Sequence, residues 1–402
     1  MGAIELSSYR RATVYFSFNE EQERLREEVR SFLKKEVTPE VVKETESNVG
    51  LGPHSWEFMR KAGARGWLCP TWPKQYGGLE SSNIDRLIIW DEIAYHGAME
   101  VWAGVRMAGP TILLFGSDEQ KNEYLPPIAR GEIDFAAGFT EPDAGSDLAS
   151  IRLRAVEDGD QYILNGQKAF STGSHVAQYH WLGARTDPDA PRHRGLSLFI
   201  VDMKSPGITL RPVWTFGGWR TNEVFYDNVR VPKKNMVGEK NRGFYYLAIS
   251  LDFDRAATTG RMQRNFDQLV EYARERQQNG RTQGKDPLIR SRLAELAIEV
   301  EILRCLICRH AWLRDRGLVP NYEASMIKMF SSELGQRLFR CGTEMLGLYG
   351  QLQEGSKWAP LNGRIERECR SSTHATIFGG ASEVMRNVIA LRGLGLPAGR
   401  WN

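Results

Sequence analysis

Two short segments carry the residue types from which a site for an anionic or heterocyclic ligand is built. They are Phe139-Thr140-Glu141-Pro142-Asp143-Ala144-Gly145-Ser146-Asp147 and Asn165-Gly166-Gln167-Lys168-Ala169-Phe170-Ser171-Thr172. A Gly-, Ser- and Thr-rich loop beside a strand offers backbone N–H groups and hydroxyls as donors, and on residue type alone the two segments read equally well as capped turns. Other motifs carry less. Cys305-Leu306-Ile307-Cys308 has redox or zinc spacing but sits inside a helical repeat, with no second Cys pair or nearby His to complete a metal shell. Gly280-Arg281-Thr282-Gln283-Gly284-Lys285-Asp286 is one residue short of a phosphate loop and has Asp where Ser or Thr is required. No Gly-x-Gly-x-x-Gly run follows a predicted strand, so a Rossmann site has no support. Ser174-His175 and His374 lack a paired nucleophile at readable spacing, and no residue set predicts a metal.

The elements around these segments change character twice along the 402 residues. From about Asn19 to Arg130 the apolar residues fall at helical spacing, as in Leu25, Val29, Phe32 and Leu33 behind an Asn19 N-cap. Gly/Pro clusters at Pro70–Gly78 and Gly109–Gly116 punctuate these helices. From Asp134 to Val231 the spacing shortens to β-branched and alternating runs, Tyr162–Leu164, Leu196–Val201 and Val224–Val231, separated by the turn residues Asp158-Gly159-Asp160 and Asn165-Gly166. After Gly243 helical periodicity returns, with Leu293, Leu296, Val300, Leu303 and Ile307 in steps suited to helix packing. The expected fold class is α+β: an N-terminal helical domain over 1–133, a small central β-barrel or sandwich over 134–237, and a C-terminal four-helix bundle over 238–402. Clefts are expected at the domain junctions.

A formal net charge of +3, from 53 Lys and Arg against 50 Asp and Glu, gives no reason to expect a nucleic-acid partner. Five scattered cysteines fit a reducing compartment, which points to a cytoplasmic protein without disulfides. The N-terminus lacks an apolar leader, and no stretch approaches the ~20 apolar residues that a bilayer span needs.

With further segments added, the chain resembles the acyl-CoA dehydrogenases, FAD flavoproteins, over nearly its whole length. The additional matches are Trp72-Pro73-Lys74-Gln75-Tyr76-Gly77-Gly78, Phe115-Gly116-Ser117-Asp118-Glu119-Gln120-Lys121, Gly218-Trp219-Arg220-Thr221-Asn222 leading into Val229-Arg230-Val231-Pro232, Gly347-Leu348-Tyr349-Gly350, and Ser382 through Ala390. The resemblance implies that Phe139 and Thr140 line the flavin, that Ser146 sits where phosphates of cofactor or substrate pass, and that Phe170 takes the place usually held by Trp at the isoalloxazine edge. Thr172 takes the place of the hydroxyl that bonds flavin N5. Arg276 and the Gly347–Gly350 loop resemble segments that reach the FAD of a neighbouring subunit, which implies a homotetramer or a heterotetramer with a related chain. Asn279 stands where the family usually has Phe, a departure that favours a partner with complementary halves.

The family chemistry is α,β-dehydrogenation of an acyl-CoA thioester, in which a desolvated carboxylate takes the α-proton and the β-hydrogen leaves as hydride to the flavin. In much of the family the base is the Glu of a Tyr-Glu-Gly-Thr turn near the C-terminus; here the turn reads Phe378-Gly379-Gly380-Ala381, so Gly379 replaces it. Some branches carry the base one residue before an Arg on the helix that leads into the C-terminal bundle. In Leu251-Asp252-Phe253-Asp254-Arg255 that position is Asp254, with Arg255 beside the substrate. Asp254 is the expected base, and the backbone N–H of Gly379 the expected donor to the thioester oxygen. Asp is one methylene shorter than Glu, and a base that reaches about 1 Å less far loses on the order of 10²-fold in rate unless the substrate lies closer. Asp252, two residues away on the helix, points to another face. The expected enzyme oxidises a bulky, branched or alicyclic acyl-CoA and passes electrons to an electron-transferring flavoprotein. The alternatives are a non-catalytic subunit that shares FAD in a heteromeric dehydrogenase, and a flavin oxidase or monooxygenase on the same fold.

Overall fold

The computed structural model describes residues 17–46, 51–98, 103–255, 258–278 and 280–398. The chain opens with six helices: α1 (Glu20–Glu36), α2 (Pro39–Glu46), α3 (Pro53–Gly63), α4 (Asn83–His96), α5 (Gly109–Phe115) and α6 (Asp118–Ala129). Asn19 caps α1 in a reciprocal capping box with Gln22, and Val29 and Leu33 face the core as their spacing predicts. The expected break falls at Gly116, which ends α5, and not at Gly109-Pro110. A π-type turn over Gly104–Ala108 runs straight into α5, because Pro110 falls in the first turn, where no N–H is needed. Glycine is required at 109, since a Cβ there would lie 2.2 Å from the Trp72 ring.

The central segment forms one eight-stranded sheet from β1 (Phe135–Gly138), β2 (Arg154–Asp158), β3 (Gln161–Lys168), β4 (Tyr179–Arg185), β5 (Leu196–Asp202), β6 (Ile208–Trp214), β7 (Arg220–Pro232) and β8 (Met236–Val237). The order is β6-β7-β3-β2-β4-β5-β8; the path does not close, and β3 and β7 pack across a shared core onto β4 and β5, as in the expected small β domain. β5 is buried on both faces, which accounts for its unbroken apolar run: Leu196, Leu198 and Ile200 pack toward the N-terminal helices, Phe199 and Val201 into a second core. Asn165-Gly166 is a bulge inside β3 rather than a turn. The register slips between Leu164 and Gly166, Gly166 lies at φ +144° against Leu153, and Asn165 is tied to Asn228 across the sheet.

One detail of the sheet positions everything that follows. β1 and β2 both lie parallel to β4 on the same edge: β1 pairs from Phe135↔Tyr179 to Gly138↔Leu182, and β2 meets β4 at Arg154↔Arg185. The chain from Phe139 to Leu153 therefore leaves the sheet and returns beside its own point of departure.

Six helices follow: α7 (Gly243–Asp254), α8 (Gly260–Glu275), α9 (Pro287–Asp315), α10 (Asn321–Leu346), α11 (Arg364–Ala375) and α12 (Ser382–Val388). Leu293, Leu296, Val300, Leu303 and Ile307 of α9 are all buried against α10 and α4, which leaves Cys305 of the CxxC pair on the outside of the helix. No helix among the described residues is long and apolar enough to cross a membrane. No group of His, Cys, Asp and Glu among them is arranged to hold a metal.

Candidate active site

The returning loop is closed from inside. Glu141 accepts the backbone N–H groups of Arg152 (2.7 Å) and Leu153 (2.9 Å), while the fully buried Lys168 at the end of β3 donates to Glu141 (2.8 Å) and to the Phe139 carbonyl (3.0 Å). Burial pushes Lys168 down to about 8 against the pull of Glu141. Beside this clasp, the Ser171 hydroxyl contacts the Ala137 carbonyl (2.8 Å) and His180 Nε2 (2.6 Å), and His180 Nδ1 meets the Tyr226 hydroxyl. Burial, with Lys168 nearby, holds His180 at about 3, so the ring is neutral. Asn222 on β7 completes the arrangement through the Ser171 carbonyl (3.1 Å) and His175 (3.1 Å).

This scaffold brings together four of the residues expected to line a flavin. The Ala169 N–H donates to the Thr140 carbonyl at 2.8 Å, which sets Phe139 and Thr140 beside Phe170, and Thr172 bonds the Thr221 hydroxyl at 3.1 Å. Phe139 is buried, Thr140 is half-buried, and Thr172 is exposed. Phe170 is 65% exposed and held at φ +54°. A bulky side chain in the left-handed region costs about 1 kcal/mol or more, and here the surrounding bonds enforce it to present a bare ring at the surface. Ser146 lies on the exposed part of the loop, next to Gly145, which has open space where a Cβ would be. Arg276 and the Gly347–Gly350 loop meet elsewhere: the Arg276 guanidinium lies 5.8 Å from the Tyr349 ring centre, and Leu348 is 83% exposed. No hydrogen bond or ring contact among the described residues joins this pair to the Phe139–Thr172 loops. Asn279 lies outside the described residues.

The second cluster forms where α7 ends. Asp254 is its last residue and half-buried; its carboxylate lies 3.5 Å from Nε of Arg106 in the π-type turn, and Arg106 also donates to the Asp254 carbonyl. Arg255 instead pairs with Asp252 (2.7 Å) and donates to the Gly379 carbonyl (3.3 Å). Asp252 is further bonded by Asn321 (3.2 Å); burial raises its pKa against the opposing pull of Arg255. Arg255, next to Asp254 in the chain, thus ties the end of α7 to the turn at Gly379 through its bonds to Asp252 and the Gly379 carbonyl. Gly379 and Gly380 both have positive φ, +63° and +114°. Among the described residues nothing accepts from the Gly379 N–H, so this donor is available. Lys328 of α10 packs against Gly379 and donates to the Ala375 carbonyl at 2.6 Å; burial and Arg255 bring it down to about 8, opposed by Asp254.

The sequence reading missed Glu141, Lys168, Ser171, His180 and Asn222 as a supporting network, along with Arg106 and Lys328. Glu141 and Lys168 stand in the two quoted segments, and a Lys in the middle of a β-run was the available signal. Nothing in the local sequence marks Arg106 or Lys328, which reach Asp254 only through the docking of three segments far apart in the chain.

Comparison with known proteins agrees with this geometry. Family models for the N-terminal, middle and C-terminal domains of acyl-CoA dehydrogenase match residues 19–132, 136–229 and 241–394 in order. Acyl-CoA dehydrogenase FadE26 of Mycobacterium tuberculosis is 38% identical over 396 residues, covering 95% of this chain and 98% of the relative. The Tcur3481-Tcur3483 steroid ACAD superposes with a TM-score of 0.89 at 34% identity, covering 96% of this chain and 100% of that one. The ChsE4-ChsE5 complex of Mycobacterium tuberculosis gives 0.88 at 36% identity, with 96% and 100% covered. With all three domain models matched in order and a fold shared over 96% of its length, this chain belongs to the acyl-CoA dehydrogenase family.

Proposed function

We propose that this enzyme performs α,β-dehydrogenation of an acyl-CoA thioester with Asp254 as the base. The observation that carries the reading is that Arg255, the residue after Asp254, donates to the Gly379 carbonyl of the turn that lacks the usual carboxylate. The family uses FAD, and the residues present fit it: an exposed aromatic ring at Phe170, a half-buried Thr140, an exposed Thr172 and an open glycine beside Ser146 form a surface with hydroxyls and an apolar wall. When bound, FAD supplies the acceptor for the β-hydrogen. Thr172 and Thr140 would hold its ring, Phe170 would shield that ring from water, and Ser146 would lie by phosphates of cofactor or substrate. On the other face Asp254 takes the α-proton, Arg106 orients that carboxylate, and Arg255 fixes the Gly379 turn so that its N–H meets the thioester oxygen as enolate charge develops. Lys328 adds positive charge beside the same turn.

The substrate is read as a bulky, branched or alicyclic acyl-CoA, a reading supported by the steroid designation of one structural neighbour. Electrons pass to an electron-transferring flavoprotein. Arg276, Gly347 and Gly350 reach toward the FAD of a neighbouring chain in a tetramer, and the exposure of Leu348 supports a covered position there. A structural neighbour that is a complex of two named proteins favours a related but different chain as that partner. Proposed divisions between the three units lie at 133/134 and 237/238.

The test is anaerobic mixing of the FAD-loaded protein with acyl-CoAs. Bleaching of the flavin by an alicyclic or branched thioester, slowed by about 10²–10⁴-fold in Asp254→Asn with FAD content unchanged, is the expected result. Equal bleaching by the variant removes Asp254 from the role of base. A colourless protein that takes up flavin only with a second chain supports the subunit-sharing alternative.

A further inference from the structure

Next to Asp254 the fold encloses a cavity of about 260 Å³, lined by Trp72, Trp90, Phe253 and three arginines, Arg86 of α4, Arg106 of the π-type turn and Arg314 of α9. Its position identifies it with the acyl end of the site: Phe253 precedes the base in α7, and Arg106 touches both the cavity and Asp254. Val105, Pro110, Leu113 and Leu114 line it as well, so an apolar wall faces the guanidinium groups.

Two of the three are left without an anion. The Arg86 and Arg314 side chains have no hydrogen bond or ion pair among the described residues, and Nε of Arg86 is buried without a partner. The carboxylate that draws on both, Asp315, is committed elsewhere: it accepts from the Asn83 N–H (2.6 Å), the Asn83 side chain (2.8 Å) and the Ile84 N–H (3.4 Å) at the start of α4. Both guanidiniums are held in place by rings, Arg86 at 4.9 Å from the Trp90 ring centre and Arg314 at 5.0 Å from that of Phe253, so their donor edges are preorganised. The surrounding groups register the field. Burial, with Arg314 and Arg106 nearby, brings Arg86 down to about 9, and burial with Arg314 and Arg86 keeps the neighbouring His310 at about 3.

We infer that this cavity takes an acyl chain that carries a carboxylate at its far end, held by Arg86 and Arg314, so that the substrate class is an ω-carboxyacyl-CoA. The inference rests on the dehydrogenase reading above. Two planar forks around one cavity match the bidentate geometry of a carboxylate, and two partly buried like charges are relieved when an anion enters between them. The phosphates of the CoA moiety are the other anions on such a substrate, but they lie at the opposite end from the carbons next to the base.

The experiment uses the FAD-loaded protein and matched thioesters: adipoyl-CoA against hexanoyl-CoA and suberoyl-CoA against octanoyl-CoA. Flavin bleaching gives kcat/KM, and calorimetry gives binding. The expected result is a preference of about 10–100-fold for the carboxylated member of a pair, the range of a hydrogen bond to a charged group. That preference, read as the ratio of kcat/KM for the two members of a pair within each variant, collapses in Arg314→Gln and in Arg86→Gln. Equal or faster turnover of the neutral member by the unaltered protein overturns the inference and leaves the dehydrogenase reading intact. Absence of bleaching by any thioester counts against the dehydrogenase reading, and the calorimetric comparison of the two members then still decides the cavity. Inorganic phosphate or acetate that competes equally against both members shows a general anion site and overturns the assignment to the acyl chain.

Discussion

The two sides of the site are built on opposite electrostatic plans. Around Phe139–Thr172 the buried charged and polar groups of the clasp are partnered: Lys168 with Glu141, Glu141 with two backbone N–H groups, Ser171 with His180, His180 with Tyr226. Around Asp254 the cations outnumber what the protein gives them, with Arg86 and Arg314 unpaired among the described residues and Lys328 held mainly by a carbonyl. A satisfied network rigidifies and specifies one geometry, whereas an unsatisfied one is high in energy until something completes it. The first plan suits a cofactor that never changes, and the second suits a substrate that must be chosen.

That contrast can be broken at its strongest point. Lys168→Met leaves the Glu141 carboxylate buried without its cation, so it is expected to lower stability by about 3–5 kcal/mol and to abolish FAD retention; denaturant unfolding together with flavin absorbance checks both. A variant that unfolds at the same denaturant concentration would show that the clasp is not what holds the loop.

A second test concerns the seam between the N-terminal helices and the sheet. Asp134 is buried, accepts the Gly104 N–H at 2.8 Å, and is raised by burial to about 7. Because its folded value lies above its unfolded one, the stability associated with its neutral form is present below about pH 4 and is lost as pH rises through 7, by about 4 kcal/mol in full. Asp134→Asn is expected to flatten the pH dependence of the melting temperature over that window. An unchanged slope would assign the dependence to other groups.

On the substrate side the effect should fall on rate rather than stability. Arg106→Gln frees the Asp254 carboxylate to wander, with an expected loss of up to about 10²-fold in kcat and a melting temperature close to that of the unaltered protein. A melting temperature that falls as steeply as for Lys168→Met would erase the distinction between the two sides. Smallest of all, Thr172→Val removes one hydroxyl from the cofactor face and is expected to weaken FAD binding by about 1 kcal/mol, roughly fivefold, in an equilibrium titration of the apoprotein.

How much of this was legible in the sequence follows from how local each signal is. The α–β–α order, the Asn19 cap and the α9 repeat were readable because period and capping act within a few residues. Asn165-Gly166 misled because the same dipeptide serves a hairpin turn and a bulge, and only pairing with β7 separates them. Gly109-Pro110 misled because Pro ends a helix in its interior yet starts one in its first turn. The openness of the sheet depends on which strands find edges, which no single run encodes. In the site, Asp254 and Gly379 were visible as a pair of departures from a family pattern, and the residue after Asp254, Arg255, bonds the Gly379 carbonyl. Arg86, Arg106 and Arg314 were invisible as a group, since they converge from α4, the π-type turn and α9.

The central claim is that the carboxylate at the end of α7 removes the α-proton. Exchange of the α-hydrogen with D₂O, followed by mass spectrometry on a 3-thia acyl-CoA that cannot lose a β-hydride, isolates that step from flavin reduction. The account predicts rapid exchange with the FAD-loaded protein and exchange no faster than in buffer with Asp254→Asn. Exchange at the unaltered rate in that variant would contradict it and send the search to another carboxylate.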